Sequence, residues 1–210
     1  LRARFGLLRT ASMAAARLAM GLTRHGTQAI ITRITESYKL ETTPPPRLST
    51  IRHIGSVNSN IARETLRALN PKLVLVLATR PVGKRTLDWI HAPFISFNPG
   101  INPAYKGQFG AYFALARGEP DLFGGTVHTL PKGTQPSEIL YQSRVSPQPG
   151  DNIHTYIWRI TACSRGIVLK AVHDGLNEAL KPRQVNMPSR QFDTVPLGYY
   201  LWTGFTRRVW

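Results

Sequence analysis

Phe94-Ile95-Ser96-Phe97-Asn98-Pro99-Gly100-Ile101-Asn102-Pro103-Ala104-Tyr105-Lys106-Gly107 decides the reading of this chain. Phe94, Ile95 and Phe97 suit a buried strand. Pro99, Gly100, Pro103 and Gly107 then fix a backbone without regular structure. A rigid loop at the C-terminal end of a central strand is where open α/β sheets place ligands. Upstream, Leu73 to Leu77 is a continuous apolar run, the pattern of a parallel strand covered on both faces. A short helix over residues 82–89 separates the two strands, giving a βαβ unit. Downstream, residues 109–116 read as a helix and residues 125–130 and 139–145 as two strands.

The stretch resembles the folate-dependent formyltransferases. Members carry a strand, then Asn-x-His-Pro, then Pro-x-Tyr-Arg-Gly; here Pro103, Tyr105 and Gly107 match and Lys106 stands for Arg. Gly125-Thr126-Val127-His128 resembles the next strand, and Gly133 lies in the loop that follows. The order and spacing hold over roughly residues 57–151, and Ser189-Arg190 and Tyr200-Leu201 resemble the tail of one subgroup. The resemblance implies an open, mostly parallel Rossmann-type α/β sheet with helices on both faces, apparently lacking the first β-α-β segment. It places the family's catalytic Asn, His and Asp at Ser96, Asn98 and Gln135, all changed. His128 is a weaker catalytic candidate, and Pro103, Tyr105, Lys106 and Gly107 are the candidate cofactor-binding residues.

Formyl transfer needs hydrogen-bond donors for an oxyanion and a group that moves a proton off an amine. Asn98 and Ser96 can donate; the amide of Gln135 cannot exchange a proton near neutral pH. The expectation is therefore a catalytically degenerate formyltransferase-like subunit of a larger assembly, a mitochondrial ribonucleoprotein being the concrete version, with no cofactor. The alternative is an active enzyme using 10-formyltetrahydrofolate to formylate an amino sugar, glycinamide ribotide or aminoacyl-tRNA.

Composition bounds the partners. The 210 residues are 42% hydrophobic, enough for one domain with its own core. Lys and Arg number 27 against 11 Asp and Glu, a net charge of +16. That excess favours a polyanion: RNA, DNA or an anionic membrane surface. A single cysteine, Cys163, excludes an internal disulfide and agrees with a reducing compartment, mitochondrial or cytoplasmic. No apolar run reaches membrane-spanning length. No set of His, Cys, Asp and Glu shows metal-ligand spacing, and no P-loop occurs.

Three segments are expected. Residues 1–45 form a basic N-terminal part ending in a proline-rich connector, residues 46–182 the α/β domain, and residues 183–210 a basic, aromatic tail. Residues 1–35 hold six arginines and no carboxylate. A helix over residues 5–22 is compatible with a mitochondrial presequence, a basic surface helix of the fold, or a helix lying on phosphates or lipid headgroups. Residues 51–54 read as a short strand. Asn58-Ser59-Asn60 offers a helix N-cap and Asn70-Pro71 a stop. Residues 153–180 read as one long helix. The basic pairs Lys84-Arg85 and Arg207-Arg208 are candidate RNA contacts, the second with aromatic neighbours.

Overall fold

The computed structural model describes residues 14–16, 18–21, 24, 26–41, 43, 51–134 and 137–210. Gln135 and Pro44 to Pro46 lie outside the described residues, as do residues 5–13 of the first expected helix; residues 14–16 and 18–21 are helical.

Four strands form one sheet in the order β1 (Val74–Val76), β2 (Phe94–Asn98), β3 (Gly124–Thr129), β4 (Ile139–Arg144). β1 and β2 are parallel, joined through α3 (Lys84–Trp89), and Leu75 lies opposite Ile95. β2 and β3 are antiparallel, with Ser96 opposite His128 and Asn98 opposite Thr126. β3 and β4 are antiparallel too, with a bulge between Val127 and His128. The α/β class and open sheet stand, but the pairing is mixed rather than mostly parallel. The loop after β3 is short enough to turn the chain straight back, and a parallel partner would need a longer crossover.

Side chains alternate across β2 and so divide the packing. Phe94 faces a cluster of Leu87, Ile90 and Ala92, to which Leu66 of α2 (Asn60–Leu69) adds. Ile95 faces the other way, onto Val127, Leu140 and Ala171 of α6 (Arg165–Leu176). β1 is only half-buried along its length, not covered on both faces, because it lies at one end of this sheet. The capping reading holds: Ser59 Oγ accepts from Ala62 N at 3.1 Å, and Asn70 ends α2 in the left-handed region.

Two expected elements differ. Residues 51–54 are not a strand; both isoleucines are exposed and no partner strand lies alongside among the described residues. The long helix is two, α5 (Tyr156–Cys163) and α6, broken at Ser164. Ser164 is fully buried and its hydroxyl shares a 2.6 Å hydrogen bond with Ser143 of β4, so the sheet fixes the break.

The largest core cluster lies beyond the end of β2. It joins Tyr105, Tyr112, Phe113, Phe123, Tyr156, Ile160, Phe192 and Tyr200. Tyr112 and Phe113 come from α4 (Gly110–Ala116), and Tyr200 from α7 (Leu197–Arg207). α1 (Thr27–Ser37) packs against α5. Residues 183–210 are thus built into the fold: Arg183 pairs with Ile139, and Tyr200 is fully buried. Their aromatic residues supply the core that a short four-stranded sheet lacks.

Ile95 is fully buried between β1, β3 and α6. Ile95→Ala is expected to lower unfolding free energy by about 2–5 kcal/mol, measured by urea denaturation.

Candidate functional site

β2 ends at Asn98 and the chain turns at once. Gly100 N donates to Asn98 O at 2.9 Å, and a Cβ on Gly100 would sit 2.3 Å from Tyr105 O, so only glycine fits. Asn102 is then held at three atoms. Its N–H donates to Thr126 Oγ1 at 3.0 Å, its carbonyl accepts from Gln142 Nε2 at 2.7 Å, and its side-chain oxygen accepts from Asn98 Nδ2 at 2.7 Å. Thr126 Oγ1 in turn donates to Gly100 O at 2.8 Å. Thr126 is fully buried, so these bonds form out of water.

A second seam holds the far side of the loop. Lys106 N donates to Arg190 O, Phe192 N to Lys106 O, and Phe109 N to Phe192 O, all within 3.0 Å. Gly107 (φ +94°) lies so close to Phe192 O and Asp193 that a side chain has no room. Tyr105 is fully buried and stacks on Phe192 at 5.4 Å. Its hydroxyl has no hydrogen-bond partner among the described residues, and burial, with Glu119 nearby, pushes its pKa up to about 12. Pro103, Tyr105 and Gly107 therefore shape the loop, and Lys106 is the candidate of the four whose charge reaches the neighbouring imidazole.

That imidazole is His128. The alternation of β2 and β3 puts Ser96, Asn98, Thr126 and His128 on one face of the sheet. Ser96 Oγ donates to Val76 O at 2.9 Å, which ties it to β1. Asn98 uses one amide N–H on Asn102; its second has no partner among the described residues. His128 Nδ1 lies 3.0 Å from Thr129 O, which also accepts from Ser137 Oγ at 2.7 Å. This network assigns the proton to Nδ1 and leaves the Nε2 lone pair unprotonated. Burial pushes the His128 pKa below its ordinary 6.5 and the Lys106 charge adds to that, against the Thr129 carbonyl.

The sequence candidates thus divide. Ser96, Asn98, His128 and Lys106 gather around one strand end, and Gln135 lies outside the described residues. The segment just before it is anchored: Gly133 N donates to Asp88 Oδ1 at 2.9 Å, and Lys132 Nζ donates to Ile90 O and His91 O. Lys84 and the Gly133 N–H hold the Asp88 carboxyl below its usual range. Sequence reasoning missed Thr126, Asn102 and Gln142. No local signal pointed to them, since each acts through a partner in another segment.

No family model matches the chain. A phosphoribosylglycinamide formyltransferase of Mycobacterium tuberculosis is 32% identical over 93 residues, 44% of this chain and 43% of that protein. The chain thus spans less than half the length of that relative. Among solved structures, a sugar N-formyltransferase from a Shewanella species superposes with a TM-score of 0.54 at 14% identity, over 80% of this chain and 72% of that one. The formyltransferase PseJ from Anoxybacillus kamchatkensis, in complex with UDP-4,6-dideoxy-4-formamido-L-AltNAc and tetrahydrofolate, gives 0.52 at 15% identity, over 79% and 80%. The chain is formyltransferase-like: it shares that fold, and over 93 residues it resembles that family in sequence.

Two outcomes follow from this geometry. Thr126→Val keeps the shape but strands the buried Asn102 N–H, so a loss of about 1–3 kcal/mol is expected on thermal or urea unfolding. His128, with its folded pKa below the unfolded value, contributes stability that is full above about pH 6.5. That contribution is lost as pH falls from there toward the folded pKa, because the unfolded chain takes up the proton first. His128→Gln is expected to flatten this part of the stability–pH curve, read from urea midpoints between about pH 7 and pH 5.

Proposed function

We propose that the chain forms the transfer site of an N-formyltransferase that uses 10-formyltetrahydrofolate and an amine acceptor. The observation that carries this is the pairing, on one face of the sheet, of Asn98, whose second amide N–H has no partner among the described residues, with the half-buried imidazole of His128, whose pKa burial lowers. The similarity to formyltransferases in sequence and fold supports transfer over a degenerate structural subunit without cofactor.

The cofactor, when bound, supplies an activated formyl carbon on nitrogen. The residues present fit such a group. The strand end offers an amide donor, a neutral base and, in Lys106, a cation for the anionic end of a folate or a phosphorylated acceptor. Asn98, through its second amide N–H, would donate to the oxygen on which charge develops. His128 Nε2 would accept the proton released by the attacking amine and return it to the leaving nitrogen. The hydroxyl of Ser96 is spent on Val76 O, so Ser96 fixes the register of the strand end rather than donating. Acceptors consistent with the +16 charge are phosphorylated amines such as a nucleotide-linked amino sugar, glycinamide ribotide or an aminoacyl-tRNA.

Calorimetric titration of the chain with a stable 10-formyltetrahydrofolate analogue tests the reading. Stoichiometric binding is expected, and its absence at high ligand concentration rules the enzyme out. With an acceptor in hand, Asn98→Ala is expected to lower kcat by about 10²–10³. His128→Gln is expected to lower it by about 10²–10⁴ and to remove the acid limb of the kcat/KM profile.

A further inference from the structure

Five aromatic side chains run in contact from the strand-end loop to the surface. Tyr105 stacks on Phe192 at 5.4 Å, Phe192 on Phe113 at 4.5 Å, and Phe113 on Tyr199 at 5.4 Å. Tyr199 then meets Trp202 at 5.8 Å. The row starts buried and ends in solvent: Trp202 is 49% exposed, and Phe205, one turn further along α7, is 77% exposed. Large aromatic rings left this open at one place mark an interaction surface.

Arginines lie over this row. The Arg117 guanidinium sits over the Phe192 ring at 4.9 Å and that of Arg207 over Trp202 at 5.4 Å. Arg190 joins them through its backbone, which bonds to Pro103 and Lys106 beside Tyr105. All three arginines are exposed, and none enters an ion pair with the described residues. Of the nearby carboxylates, Glu119 is half-buried beside Tyr105 and Asp193 accepts from Gln191. From residue 194 to the C-terminus there is no carboxylate side chain.

Charge and ring coincide here, and that coincidence selects the partner. A helix lying in a lipid surface separates an apolar face from a basic one. On α7 the Arg207 guanidinium covers Trp202, so the cation occupies the face that would have to enter lipid. Single-stranded nucleic acid presents phosphates and flat bases together and is bound by basic grooves with interleaved aromatic rings. We infer that this face, centred on Arg117, Arg190, Arg207, Trp202 and Phe205, binds single-stranded nucleic acid, with arginines on the phosphates and bases against the exposed rings. The inference is independent of formyl transfer.

Fluorescence anisotropy of the full chain with labelled oligo(U) and oligo(dT), at low and rising salt, tests it. Saturable binding to either is expected. Its logarithm should fall linearly with that of salt, with a slope of about −0.7 for each phosphate contacted. Trp202→Ala should weaken binding about tenfold, and Arg117→Glu/Arg207→Glu should abolish it. Lys84→Ala/Arg85→Ala, on the other basic pair, should leave it unchanged. Circular dichroism checks folding, and Phe205→Ala serves in place of any Trp202 variant that unfolds. Three results overturn the inference: no binding at low salt, equal loss in the Lys84/Arg85 variant, or binding to phosphatidylserine vesicles without binding to either oligonucleotide.

Discussion

The hydroxyl of Thr126 holds the strand-end loop to the sheet. It accepts from Asn102 N and donates to Gly100 O, and no water reaches it. A proline- and glycine-rich loop has few backbone bonds of its own, so its shape must come from what it is tied to. Thr126 and Gln142 tie it to β3 and β4, while residues 190–192 tie it from the other side. The position of Asn98 follows from these bonds, because its side chain rests on the clamped Asn102.

The same clamp sets the electrostatics. Lys106, whose backbone is held by Arg190 and Phe192, bears its charge on His128, and partial burial and that positive charge act together to favour the neutral imidazole. A neutral imidazole with its Nδ1 proton committed to a carbonyl is a base at Nε2 only, which gives the strand end a direction for proton movement. The large positive charge of the chain lies elsewhere, on exposed arginines with few carboxylates to answer them. A phosphorylated acceptor and a nucleic acid would both be drawn to such a surface over several ångströms and lose that attraction in salt.

Much of the fold could be read from residue patterns. Phe94, Ile95 and Phe97 announced β2, Ser59 capped α2, and Asn70-Pro71 ended it. The helix over residues 153–180 was misread because its apolar spacing continues through Ser164, and nothing local records that Ser143 waits on β4 to bond it. The pairing direction of β3 was equally hidden, since parallel and antiparallel strands share one alternation. In the site, Ser96, Asn98, His128 and Lys106 were visible through the family pattern. Thr126, Asn102 and Gln142 were not, because what holds each in place is a partner some 16 to 40 residues away.

The sequence alone therefore determined much of the local conformation: most of the strand and helix segments, where glycine and proline force turns, and which residue types stand ready for chemistry. These follow from interactions within a few residues along the chain. The tertiary structure decided the direction of β3, the break at Ser164 and the incorporation of the aromatic C-terminal segment into the main core. It also decided which polar side chains meet at the end of β2 and which protonation state His128 takes. Those outcomes rest on burial and on hydrogen bonds between distant segments, and a desolvated contact has no energy until both partners have been brought out of water together.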